Sequence, residues 1–177
     1  MIQKICAVVC LFTLLFGCSK KNGNPNYPDS GEGLTKFHLD LFAMIKAEDT
    51  DNATWLIKSL LIPNHRTWFK KVFGDSIGMK LDNDYSADLN AAEKDLADLY
   101  VQILNDRQTD IRVIKFDKAG DPSLTPLQKQ ALLAMKNPVP LYSVRFVKPG
   151  EKDGLHVWSF VHVDGSFRLA GKMKSFK

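Results

Sequence analysis

Cysteine is nearly missing from this chain of 177 residues: Cys6, Cys10 and Cys18 are all there are, and none follows position 18. The long remainder can form no internal disulfide and no cysteine zinc or redox centre, so its stability must come from an ordinary packed core. An excess of one charge is missing too. With 24 basic and 20 acidic residues the formal net charge is +4, too even for the basic footprint of a nucleic-acid partner, and none is expected. Histidine is scarce, at four residues. The spacings behind several common chemistries are also lacking: no Gly-x-Ser-x-Gly elbow, no His-Glu-x-x-His, no phosphate-cradling glycine loop and no calcium loop. No catalytic residue, metal site or cofactor is therefore expected.

What is present begins at the N-terminus. Behind Lys4 an apolar run extends from Ile5 to Phe16, closes with Gly17-Cys18 and gives way to Ser19-Lys20-Lys21. The run is shorter than the about 20 residues that a membrane span needs, and its basic, apolar and small-residue order is that of a secretory signal. Leu15-Phe16-Gly17-Cys18 resembles the lipobox of bacterial lipoproteins, with Phe16 where that family usually carries a small or aliphatic residue. The resemblance implies a signal peptide over residues 1–17, cleavage before Cys18, and a membrane anchor of lipid, palmitate included, on Cys18. It further implies a bacterial cell-envelope protein on the periplasmic side. Ser19 in place of Asp resembles an outer-membrane destination, while Lys20 and Lys21 depart from the acidic residues of a surface-export signal.

Ser19 to Gly33 is rich in Lys, Asn, Gly, Pro and Ser, with Tyr27 its only large apolar side chain, and reads as part of a flexible tether over residues 18–33. Residues 34–177 read as one domain. Leu34, Phe37, Leu41, Met44 and Ile45 fall at helical spacing, and a second helix is expected from Asp51 as N-cap until Pro63. Asn64 is expected to cap a short helix that ends at Gly74. Leu81, Tyr85, Leu89, Ala92, Leu96, Leu99 and Ile103 step by three and four, predicting one long amphipathic helix of about 30 residues. The period then changes to two. Ile111–Asp117, Leu141–Val147, Leu155–Val163 and Phe167–Met173 read as strands, and Thr125-Pro126-Leu127-Gln128 as a capping box opening a helix between the first two. The fold class is α+β: N-terminal helices, one of them long, packed on a C-terminal antiparallel sheet of about four strands.

Asp164-Gly165 is the preferred chemistry of a two-residue hairpin turn. It predicts the pairs His162–Phe167, Phe160–Leu169, Trp158–Gly171 and His156–Met173, with His156, Trp158, Phe160 and His162 on one face and Gly171 leaving room for the indole. The other face carries Arg168 and Lys172, which with Lys115 and Arg145 form a basic stripe read as solvated. Asp82, Asp84 and Asp88 are likewise read as a solvated face of the long helix.

Helices, a strand, a further helix and a three-stranded meander ending in Phe160-Val161-His162-Val163-Asp164-Gly165-Ser166-Phe167-Arg168-Leu169 resemble the nuclear transport factor-like cone fold. That family holds isomerases, dehydratases and many non-catalytic binding modules, so the resemblance implies a shape and not an activity. Within it His156, Trp158, Phe160, His162 and His65 are the candidate pocket residues. Imidazole can act as acid, base or ligand near neutral pH. However, His156 and His162 lie six residues apart on a strand, about 20 Å, and cannot share one metal. A histidine satisfied by a backbone carbonyl is the preferred reading of both. The expected function is therefore a membrane-anchored, non-catalytic module that binds a protein or a small apolar ligand. The alternative is a small hydrolase or isomerase using a pocket histidine.

Overall fold

The computed structural model describes residues 25–176, except the side chain of Trp158. The signal segment, Cys18 and the first part of the tether lie outside the described residues. Among the described residues five α-helices, four strands and a short 3-10 helix at Lys174–Phe176 follow one another, with four of the α-helices first.

The domain starts earlier than the composition predicts. Pro25 and Tyr27 are buried, and helix α1 spans Gly31–Lys46, so residues 25–33 belong to the folded unit and not to the tether. Ser30 caps α1 by accepting from Gly33 N–H. Tyr27 N–H donates to the Gly165 carbonyl at 2.8 Å, and its hydroxyl donates to Asp40 at 3.0 Å. One aromatic side chain among prolines and polar residues is enough to dock the segment, because its ring packs edge-on against Phe37.

Helix α2 spans Thr50–Lys58 and is capped by Asp49, not Asp51, since Asn52 N–H reaches the Asp49 carboxylate. Helix α3 spans His65–Phe73. Asn64 starts it without a side-chain cap bond, its backbone being left-handed at φ 48°. Helix α4 spans Asp75–Asn105, 31 residues. Helix α5, Pro126–Ala134, has both bonds of the Thr125–Gln128 capping box.

Strands β1 (Asp110–Phe116), β2 (Leu141–Val147), β3 (Gly154–Val163) and β4 (Ser166–Leu169) form one antiparallel sheet in the order β1-β2-β3-β4. Two apolar clusters cover its faces. One joins α1, α2 and the C-terminal half of α4 to Tyr142, Val144, Phe146, Phe160 and Phe167. The other joins α3, the N-terminal half of α4 and α5 to Leu141, Val161, Ala170 and Met173. The long helix is thus common to both cores, which is why its apolar stripe runs nearly its full length.

The hairpin keeps the expected register near its turn, with Val163 opposite Ser166, His162 opposite Phe167 and Phe160 opposite Leu169. Further out it departs. Ser159 has φ 67°, and the β2–β3 register slips there, Tyr142 facing Phe160 while Ser143 faces Trp158. This is a β-bulge, which reverses the alternation of faces beyond it. Leu155 and Val157 consequently join the first core, and His156 turns to the face of Arg145, opposite to Phe160 and His162. Strand β4 ends at Leu169 and Ala170 N–H donates to the Ser159 carbonyl, so the pairs Trp158–Gly171 and His156–Met173 do not form. Gly171 has φ 76°, a conformation that favours glycine where the chain turns after β4, and no described residue lies within 4 Å of where its Cβ would be; the indole of Trp158 lies outside the description.

Candidate functional site

The four histidines are dispersed. His162 Nε2 lies 2.8 Å from the Tyr27 carbonyl, and its ring packs edge-on to Phe167. His156 is partly exposed on β3; burial and then the neighbouring Arg145 charge lower its pKa. Phe160 is fully buried against the ring of His38. Thus none of the described grooves is lined by His156, Phe160 or His162, and the bulge at Ser159 puts His156 on the opposite face from the other two.

His38 is enclosed completely. Its Nδ1 is 3.1 Å from the Tyr100 hydroxyl and its Nε2 has no partner among the described residues. Phe37, Phe146 and Phe160 meet the imidazole at steep angles. Burial pushes the His38 pKa down to about 3 and raises that of Tyr100, because neither charged form is solvated there.

His65 opens α3 and its Nδ1 sits 2.5 Å from Oδ1 of Asp82 on α4. Asp82 is buried at 6% exposure, a correction to its reading as solvated. Arg66 approaches the other oxygen at 4.0 Å, and the ring of Tyr85 lies 5.2 Å from the imidazole. The Tyr85 hydroxyl accepts from Ile62 N–H, which fixes the wall behind the pair. A carboxylate that holds one ring nitrogen leaves Nε2 to exchange a proton with a ligand. The pairing is legible in hindsight: Gly78, Leu81, Asp82 and Tyr85 recur at helical spacing on one buried face of α4.

Two grooves adjoin these groups. The larger, of about 390 Å³, runs between α4 and the segment Leu169–Lys174. Leu61, Leu81, Leu89, Ala92 and Leu96 make it apolar, while Asp84, Asp88, Asp95, Lys172 and Lys174 give it a charged rim. Lys174 closes one end through an ion pair with Asp88, and Asp84 accepts from Ser175 N–H. The second groove, of about 370 Å³, lies between the end of α2 and Arg168. Neither is lined by a histidine. Arg168 is buried, a correction to its place in a solvated basic stripe.

Among the described residues no group of three His, Cys, Asp or Glu could hold a metal ion, and no helix is long and apolar enough to cross a membrane. Comparison with protein-family models, with curated proteins and with solved structures returned no match for this chain.

Proposed function

We propose that this chain is a bacterial cell-envelope lipoprotein, held at the periplasmic side of a membrane by lipid on Cys18, whose domain is a non-catalytic binding module. The observation that carries the binding reading is the α4 groove: an apolar floor with a charged rim, of a size suited to a small ligand. Its occupant is a small apolar ligand or an apolar segment of a partner protein. A saturable rise in Nile red fluorescence is expected for the full-length protein in dilute maltoside, and Ala92→Trp, which fills the groove, should abolish it. Failure of Ala92→Trp to reduce the signal would place the binding elsewhere.

The anchor has its own test. Metabolic labelling with a fatty-acid analogue should mark the wild type and not Cys18→Ser, since no other cysteine follows the cleavage point. Label persisting in the variant would refute the lipobox reading. Firm attachment is expected, as more than one acyl chain is needed for stable anchoring.

The second reading, an enzyme, is favoured by the His65–Asp82 pair. It has no nucleophile or oxyanion cradle beside it among the hydrogen bonds described, so the binding reading is preferred. Ester or enolisable ketone turnover that collapses in a folded His65→Gln variant would reverse that preference.

A further inference from the structure

Arg168 is 2% exposed, on the sheet face that carries Val161 and Ala170. Its Nη1 donates to the Ser59 carbonyl at the end of α2, a helix terminus that favours a cation. Nε and Nη2 are covered from solvent and have no hydrogen-bond partner among the described residues, so an oxyanion reaches them only when the groove wall shifts. Asp164 and Tyr85 act on the guanidinium only through space, opposing the burial that lowers its pKa.

The identity of the unpaired nitrogens matters. Nε–H and Nη2–H lie parallel on one edge of the planar guanidinium, the edge that receives two oxygens of a carboxylate or phosphate at once. The third nitrogen, spent on Ser59, is not part of that edge. Leaving a buried charge half-paired is costly, and native proteins seldom do so without an ion or water to complete it. Arg168 also forms a wall of the second groove, whose lining includes Pro25, Trp55, Pro63 and a second cation, Lys58. Lys58 is exposed and 3.3 Å from Glu93, so it is free to turn toward an incoming anion at little cost.

We propose that the Nε–Nη2 edge of Arg168 is the receptor of an oxyanion site, which takes a carboxylate or phosphate group whose apolar body lies along Trp55 and Pro63. The anion comes either from a free solute or from the headgroup of an anionic lipid; the second source rests on the lipid-anchor reading. Pro25 sits in the groove lining within a few residues of the expected anchor, so a headgroup is within reach of the chain.

Full-length protein labelled with 15N-arginine, in maltoside micelles at fixed ionic strength, provides the test. The Arg168 Nε–H resonance, assigned by its loss in Arg168→Lys, should move saturably with benzoate or inorganic phosphate and not with chloride. The melting temperature should rise with the same ligands, as binding to the folded state alone requires. Lys58→Gln should weaken the response several-fold. A shift produced by micelles doped with phosphatidylglycerol, without one from free phosphate or benzoate, assigns the headgroup; the reverse assigns a solute. An Nε–H signal unmoved by all of them, or moved equally by chloride, overturns the proposal and leaves Arg168 as a cap of α2. If Arg168→Lys fails to fold, the rise of the wild-type melting temperature with benzoate or phosphate but not chloride, and its weakening in Lys58→Gln, decide without the assignment. Loss of the Cys18 label would remove the lipid source alone, because the solute titration does not depend on the anchor.

Discussion

Acidification from pH 6.5 to about 3 is expected to remove about 4 kcal/mol of folding stability through His38 alone. The unfolded chain binds a proton at the ordinary histidine pKa of 6.5, whereas the folded chain holds it off until about 3. A depressed pKa contributes stability that is present above 6.5 and lost as the pH falls toward 3. His38→Phe alone leaves the Tyr100 hydroxyl buried without its partner, at a cost of about 1 to 3 kcal/mol. The double variant His38→Phe/Tyr100→Phe removes both polar groups, so it should recover much of that loss at pH 7 and show a flatter acid limb than the wild type. Urea unfolding at several pH values reads both effects. Parallel acid limbs for wild type and double variant would show that His38 is not the buried neutral group described.

The second large effect is a reversal of sign at Gly78. In an exposed helix interior, glycine to alanine stabilises by about 1 kcal/mol. A Cβ at Gly78, however, would lie 2.6 Å from the Phe69 carbonyl oxygen and 2.7 Å from the Lys70 backbone. Helices α3 and α4 meet there backbone to backbone, and neither neighbour is a side chain that can rotate away. Gly78→Ala should therefore destabilise by about 1 to 3 kcal/mol, and Gly78→Val by more. The neighbouring Met79, 46% exposed, gives the control, since Met79→Ala should be nearly neutral. A melting temperature for Gly78→Ala at or above the wild type would mean that the two helices are further apart than they stand. Separation of α3 from α4 would also part His65 from Asp82, so the imidazole signals of His65 should shift in the same variant.

Where the sequence was legible, a periodic apolar stripe or a strong turn signal carried it. The steps from Leu81 to Ile103 predict α4, and Thr125-Pro126-Leu127-Gln128 predicts α5, because each pattern is local and has one inexpensive solution. The Asp164-Gly165 turn fixes the hairpin for as long as regular pairing lasts. Ser159 ends that legibility: its positive φ accompanies the slip of β3 against β2 and the bond from Ala170 N–H, and no local residue pattern announces it. Tyr27 was hidden for a related reason, since its partners Gly165 and Asp40 are distant in sequence. Asp82 and Arg168 were misplaced because charge normally predicts exposure. In both, a single tertiary partner or groove outweighs composition, and those are the positions to which the candidate chemistry attaches.

The docking of Tyr27 also decides how the domain bears force. A pull on the residues ahead of Pro25 enters through Tyr27, whose N–H and carbonyl are held by Gly165 and His162 at the tip of the last hairpin. The two bonds flank one residue, and its hydroxyl is fastened separately to Asp40 on α1. Load is thereby divided between a strand edge and a helix before it can reach the first turn of α1. Force applied ahead of Pro25 would thus meet a clamp at Tyr27 that the last hairpin and the body of α1 share.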